Sequence, residues 1–307
     1  MPKRSTADAG LLIDPYHLDR DGLIFEERRA RQSSIGDWGI CEERLGFKWR
    51  NPEEYRTSSS PVLGTGYHAG LALSYQTFKD EGRWATRAAM HDAVRDAINN
   101  EVAEATHFQW NGMTQREIDE LACACVDAYF DGEHFWNPDV FEIIGVEVEG
   151  LLPRTHLEGL PETWTITIQL DLVLGEPVSG RHLLVDHKTS RRKWADTKRL
   201  PHKTLQPSWY LPWWVMLWTI HCGEIIDAAF YFDVMQHQGF KFNRYPAPVT
   251  PHSVQVARDV AVQYANALES GRPLTVSPEH TLCDARWCDY FNECRGGAAL
   301  RDVSVTF

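Results

Sequence analysis

The stretch "LLVDHKTS", residues 183–190, decides the fold. Apolar residues lead into Asp186, His187 and Lys188, and a basic run follows. A strand with such an end is either leaving the core or setting an acid and an ammonium group side by side, because residues two apart on a strand share a face. Two short, β-branched and partly alternating segments precede it, "FEIIGVEVEGLL" (141–152) and "TWTITIQLDLVLG" (163–175). Together with "RHLLVDHKT" (181–189) they predict three consecutive strands, the last two joined by a hairpin at "GEPVSG" (175–180). Pairing of those two lets Asp171 approach Asp186. Close carboxylates repel unless a cation neutralises them, so the pair asks for a divalent metal. A lysine alongside stabilises charge developing on a phosphate, which completes the components of metal-assisted phosphodiester hydrolysis. For "DHK" alone, a surface Asp–Lys pair closing a strand is the commoner outcome, so the surroundings carry the weight.

The surroundings describe an ordinary folded chain. Its 307 residues suffice for one large domain or two modest ones, with 43% hydrophobic and 24% charged residues. A net charge of −12 argues against coating nucleic acid by bulk electrostatics and leaves room for a local basic patch. Residues 1–30 read as a polar arm without an apolar core of signal-peptide length. The most apolar later stretch, "WYLPWWVMLWTI" (209–220), is too short to span a bilayer, so a cytoplasmic protein with no membrane partner is expected. Residues 64–136 read as helical, with Ile118, Leu121, Ala122, Cys125, Val126, Tyr129 and Phe130 on one face and Met90, Val94, Ile98 and Val102 on another. Residues 203–221 predict a helix with Pro207 in its first turn and Pro212 kinking or dividing it. A strand over 224–235 and an amphipathic helix over 251–270 follow. The order of elements predicts an α/β core with a helical N-terminal elaboration.

Seven cysteines, an odd number without a secretion signal, argue against a disulfide framework. Cys125 falls on a core face, Cys123 off it, and Cys222 at a helix end is expected to be ordinary core. Cys283, Cys288 and Cys294, separated by four and five residues, have the crowding of metal-binding thiolates. Four thiolates suit an iron–sulfur cluster or structural zinc; the two-residue gap usual in zinc pairs does not occur, and unliganded buried cysteines stay open as a third reading.

With "GTGYHAG" upstream, supplying His68, "GICEERLGFKW", supplying Cys41, and "LQPSWY", supplying Gln206 and Tyr210, the sequence resembles RecB-type nucleases of the PD-(D/E)XK superfamily. The likeness is to the CRISPR-associated and phage RecB-like exonucleases that carry an iron–sulfur cluster, and it runs from about Cys41 to Cys294. It implies a restriction-endonuclease-like core, a mixed central sheet flanked by helices. The expected organisation is a polar arm (1–30), a helical region with the first cluster cysteine (31–140), a nuclease core (141–275) and a Cys-rich cluster-binding tail (276–307). By the resemblance His68, Asp171 and Asp186 would hold Mg²⁺ or Mn²⁺, the backbone carbonyl of His187 would face the ion, and Lys188 would be the catalytic lysine. Gln206 and Tyr210 match a Gln-x-x-x-Tyr motif that supports the site and contacts DNA. Glu147 is the candidate for the leading acidic residue, with Glu149 its rival. Cys41, Cys283, Cys288 and Cys294 would hold a [4Fe–4S] cluster, with Zn²⁺ as the alternative, acting as a staple between the start of the domain and its end. Gln169 stands where the family often has Gly.

Seven Lys or Arg residues crowd positions 188–203, among them Arg191, Arg192 and Lys193, and Trp194 lies among them. They read either as a solvated loop or as a basic rim that grips phosphates while Trp194 stacks on a base. The expected partner is DNA, single-stranded or with free ends. No GxxxxGK[ST] element occurs, so any helicase or recombination partner is a separate protein. Toroidal assembly occurs among related nucleases, so an oligomer is open. Two other readings remain, a catalytically silent DNA-end-binding module of the same fold and a zinc-binding interaction protein.

Overall fold

Alternating β-branched and polar residues from 142 to 190 build β4 (Glu142–Pro153), β5 (Trp164–Gly175) and β6 (His182–Ser190), paired antiparallel in that order. This is a computed structural model, and it describes residues 28–51, 54, 56–191, 194, 204–277, 280, 283–284, 288 and 290–297. The β5–β6 turn closes with the Glu176 N–H donating to the Arg181 carbonyl, and Gly180 supplies the positive φ of 70° that the turn requires. Helix α6 (Gln206–Cys222) then crosses over, so β7 (Ala228–Gln236) returns parallel to β6 with Asp186 beside Phe232. β8 (Lys241–Ala247) pairs antiparallel to β7 and closes the sheet. The result is a mixed six-stranded sheet.

The sixth strand is β1 (Arg28–Ala30), parallel to the start of β5 with Ala30 beside Ile166. Thr165 and Ile166 of β5 pair with β4 on one side and β1 on the other; Leu172 to Gly175 pair with β4 on one side and β6 on the other. β1 and β6 therefore share one edge of β5, and among the described residues no strand pairs with 167–171 along that edge, where the Trp209 indole N–H donates to the Thr167 carbonyl at 3.1 Å.

Helices cover both faces. On one lie α1 (Gln32–Ile40), α6 and α7 (Pro251–Glu269), over a core that includes Ile166, Ile168, Leu170 and the fully buried Trp209, Trp213 and Trp214. On the other lie α3 (Ser59–Glu81), α4 (Arg87–Glu104) and α5 (Gln115–Asp131), over Leu172, Leu174, Leu183 and Val185. Helix α3 comes close to α4 and α5 because Gly66 and Gly70 lie at the contacts: a Cβ at Gly66 would be 2.7 Å from Ile98 Cδ1, and one at Gly70 2.8 Å from Val126 Cγ2. α2 (Glu42–Arg50) follows α1, and β2 (Arg56–Ser58) pairs parallel with β3 (His107–Gln109). No helix among the described residues is long and apolar enough to cross a membrane.

Several sequence expectations need correction. The helical stretch at 64–136 is three helices interrupted by β3. The last three residues of the polar arm form β1, the rest of the arm lying outside the described residues. Pro212 does not divide α6, which is one helix in which the tryptophan-rich face stays seated on the sheet. Cys123 is buried beside Cys125, and Cys222 is exposed rather than core. β8 was not anticipated.

A buried polar network braces the α3–α5 face. Asp233, fully buried on β7, accepts hydrogen bonds from Arg244 Nε at 2.7 Å, Arg244 Nη2 at 2.8 Å and Trp136 Nε1 at 3.0 Å. The Arg244 guanidinium lies 3.7 Å from the Trp136 ring centroid. Removing one member of such a pair strands a buried charge. Arg244→Ala is therefore expected to destabilise the fold by about 3 kcal/mol, measured as a lowered midpoint in urea denaturation, and by more than loss of the exposed ion pair Arg116–Glu120 through Arg116→Ala.

Candidate active site

The three carboxylates of the site meet where the sheet changes phase. On β5, Leu170 faces the α6 core and Leu172 the α3 core, although strict alternation would put both on one face. Opposite, Val148 faces the α6 core and Val146 packs against the α3 core. The residues between these, Asp171 and Glu147, face each other across the two strands, between the rungs Val146–Leu172 and Val148–Leu170. Glu147 has a φ of +48°, a left-handed conformation rare for a side chain of its size, which marks the break in β4. Asp186 lies across β5 from Asp171, one position beyond the Leu172–Val185 rung.

From α3, His68 completes the group. One ligand atom each from His68, Glu147 and Asp171 lie within 4.8 Å of one another, close enough to share one cation. The His68 Nδ1 is 3.4 Å from Asp171 Oδ2, and the same oxygen accepts the His187 amide N–H at 2.7 Å. Asp186 is adjacent but turned aside. Its Oδ2 lies 2.6 Å from Lys188 Nζ, and its Oδ1 accepts a hydrogen bond from Gln206 Nε2. The structure thus gathers His68, Asp171 and Glu147, where the sequence expectation was His68, Asp171 and Asp186. Glu149, the rival for the leading acid, is exposed, and its charge acts on Arg31. The Gln169 side chain hydrogen-bonds Glu147, giving that departure from the family pattern a place in the site.

The electrostatics follow from crowding. Loss of hydration around the carboxyl, then the charges of Asp171 and Asp186, push Glu147 up to about 8. Burial likewise pushes Asp186 up to about 6, with Lys188 opposing and Asp171 reinforcing. Burial works against the charged form of Lys188, yet Asp186 and Asp171 outweigh it and hold the ammonium above its usual range. Tyr210, one turn from Gln206 on α6, is raised by burial and by the charges of Asp186 and Asp171, so its phenol stays protonated and available as a donor.

His187 sends its ring to the opposite face of β6. It is stacked on Tyr75 at 6.1 Å and edge-on to Tyr67 and Tyr129, and burial depresses its pKa to about 4. A neutral ring wedged among aromatics anchors the strand that carries Asp186 and Lys188. The basic rim is described only in part: Arg191 is exposed, Arg192 and Lys193 lie outside the described residues, and the Trp194 ring lies against Phe232 and Tyr245 at 5.2 and 6.2 Å. That ring packs against the aromatic side chains of β7 and β8.

The four predicted cysteines share one cavity. Cys41, at the α1–α2 junction, lines it with Cys283, Cys288 and Cys294. The Gly297 N–H donates to Cys294 Sγ at 3.2 Å, and the Cys41 thiol lies 3.8 Å from the Thr275 carbonyl oxygen. Burial, then the neighbouring thiols of Cys294, Cys288 and Cys41, push the Cys283 thiol up. Phe47 stacks on Tyr290 at 5.0 Å in the cavity wall, and Arg56 lies over Tyr290 while pairing with Glu293 at 2.7 Å. Four thiols lining one cavity, with an amide donor on one sulfur, have the chemistry of a thiolate site, although among the described residues the group of ligand atoms within 4.8 Å of one another is His68, Glu147 and Asp171.

The sequence profile of the PD-(D/E)XK nuclease superfamily matches residues 41–295. No curated protein matches the chain. Among solved structures, a Eubacterium rectale protein described as a "putative exonuclease" is similar at 13% identity, with 95% of this chain and 97% of that one covered and a TM-score of 0.44. The protein SSO0001 is similar at 12% identity, with 83% and 96% covered and a TM-score of 0.34. Its restriction-endonuclease-like mixed sheet flanked by helices, and a profile match spanning most of its length, make this chain a member of the PD-(D/E)XK nuclease superfamily.

Proposed function

We propose that the chain is a divalent-metal-dependent deoxyribonuclease of the RecB-like, cluster-bearing kind, acting as an exonuclease on DNA with free ends in DNA processing, recombination or repair. The observation that carries the reading is the convergence of His68, Glu147 and Asp171 beside the Lys188–Asp186 pair. Two carboxylates and an imidazole, with Asp186 next to them, suit Mg²⁺ or Mn²⁺. When bound, the ion supplies a Lewis acid for the phosphoryl oxygen and neutralises the crowded acids. The remaining work belongs to the side chains. Lys188 Nζ, held charged by Asp186, donates to negative charge growing on the scissile phosphate. Gln206 fixes the Asp186 carboxylate, and the His187 amide fixes that of Asp171. Tyr210 presents a protonated phenol at the same wall.

The test is digestion of end-labelled single- and double-stranded DNA with Mg²⁺ or Mn²⁺, assayed on denaturing gels. Stepwise shortening from an end is expected, lost in Asp171→Ala and reduced on the order of 10² to 10³-fold in Lys188→Ala. Unchanged cleavage by Asp171→Ala would sink the assignment.

Because Glu147 and Asp186 hold protons up to about 8 and about 6, a cation must displace them. Mn²⁺ affinity is expected to rise with pH across that window, read by calorimetry with proton release. Raised acid pKa values favour the folded state while the groups are protonated, so in metal-free protein their stabilising contribution fades as pH climbs from the ordinary values of 3.8 and 4.5 to about 6 for Asp186 and about 8 for Glu147. Glu147→Gln should flatten the upper part of that dependence in thermal melts.

For the thiol cavity we assign a [4Fe–4S] cluster with a structural role, tying the start of the domain to its tail. Anaerobically purified protein is expected to be brown and to contain iron, and Cys294→Ala to lose colour and solubility. Colourless protein with one equivalent of zinc would overturn the cluster in favour of a zinc staple.

A further inference from the structure

The carboxyl end of α3 carries an aromatic cleft that the nuclease reading does not use. Phe78 near the end of α3, Trp84 in the α3–α4 turn and Phe135 between α5 and β4 line it, and its volume of about 530 Å³ is in the range at which proteins hold a guest. The Trp84 ring lies 4.6 Å from that of Phe78 and 5.0 Å from that of Phe135, with Tyr75 edge-on behind it at 5.3 Å. All three lining rings are half-buried, so part of each aromatic surface meets solvent in the cleft. The wall that carries Phe135 is fixed. Trp136 donates its backbone N–H to the Tyr75 hydroxyl at 3.0 Å and its indole N–H to Asp233. Asn137 Oδ1 accepts the Asp139 N–H at 2.9 Å, and the Asn137 carbonyl accepts the N–H groups of Val140 and Phe141. The cleft is therefore built before anything enters it, which lowers the cost of binding.

Its charge is of one sign. Glu133 and Asp139, both exposed, line the cleft, and among the described residues neither carboxylate has an ion-pair partner. The cations of the neighbouring turns are already engaged: Arg83 with Glu81 at 2.5 Å, Arg87 with Asp131, and Lys79 Nζ with the Ile144 carbonyl at 2.8 Å. Aromatic rings attract a cation over their faces, and a guanidinium can stack flat on a ring while its fork of N–H groups meets a carboxylate. The same acids repel a phosphate chain, so the cleft suits neither the backbone nor the ends of DNA.

We propose that this cleft docks an arginine side chain from a basic segment of a partner protein. His68 and Phe78 are ten residues apart on α3, about 15 Å, so the partner engages the helix at the end away from the acids of the active site. Tyr75 touches Trp84 and also stacks on His187 at 6.1 Å, which puts the docked segment two rings from the strand that carries Asp186 and Lys188. The proposal does not depend on the nuclease reading.

The experiment measures fluorescence anisotropy of a labelled, terminally blocked peptide of Arg-Gly repeats added to the full-length protein at low salt without DNA. The Arg peptide is expected to bind, and a matched peptide with citrulline at every Arg, equal in shape but uncharged, to bind roughly tenfold more weakly. Trp84→Leu is expected to weaken the Arg peptide roughly threefold, and the pair Glu133→Gln with Asp139→Asn roughly fivefold. The pair Glu158→Gln with Glu224→Gln removes two exposed charges elsewhere and should change binding by less than about twofold. The Glu133 and Asp139 variants alter exposed side chains, so the test stands even where Trp84→Leu does not fold by circular dichroism. Equal weakening by the two charge-removing pairs would reduce the attraction to bulk acidity and overturn the proposal. Citrulline or leucine peptides that bind as well as the Arg peptide overturn it in favour of an apolar partner. A single-stranded oligonucleotide whose binding Trp84→Leu weakens, or a dimer that Trp84→Leu splits in light scattering, assigns the cleft to a nucleobase or to a second copy of the chain and also overturns it.

Discussion

Mutual repulsion of three carboxylates is the constraint on which the rest of the molecule depends. Glu147, Asp171 and Asp186 come from three adjacent strands and would separate if the backbone were free to relax. They are held by opposing devices: a salt bridge from Lys188, amide donors from Gln206, Gln169 and the His187 backbone, and His68 delivered by α3. The fold concentrates buried aromatic mass on both sides of these strands, with three tryptophans of α6 on one face and Tyr67, Tyr75 and Tyr129 on the other. Stability generated in the two cores holds a charge arrangement that is unfavourable until a cation enters. Such strain is common where a protein prepares a site for a ligand.

Asp171, Asp186 and Lys188 were legible in the sequence because they belong to a hairpin, where a short turn fixes which residues face each other. Gln206 and Tyr210, like Cys41, were legible only through the family resemblance, whereas Cys283, Cys288 and Cys294 stood out by their spacing. The ranking of the acids was not legible. Alternation treats Glu147 and Glu149 alike, whereas the backbone at Glu147 departs from strand geometry and sends only one of them to Asp171. In the same way "QLDL" (169–172) reads as perfect alternation, although Leu170 and Leu172 enter different cores. The phase change is a tertiary event that local periodicity does not encode.

The missed strands have simple causes. β1, β2 and β3 are three residues each, too short to show a period. β8 reads "KFNRYPA", polar and with Pro246, the composition of an edge strand that looks like a loop when the neighbouring strand is unknown. The loss of β1 hid a strand parallel to β5 at the end of what reads as a polar arm.

Helix α1 joins two distant parts of this architecture. Arg31 stands at its amino end and Cys41 just past its carboxyl end, with nine residues between, a rod of about 14 Å. A rod this short moves as one body, so Cys41 in the wall of the thiol cavity and Ala30, pinned beside Ile166 on the sheet, are fixed relative to each other.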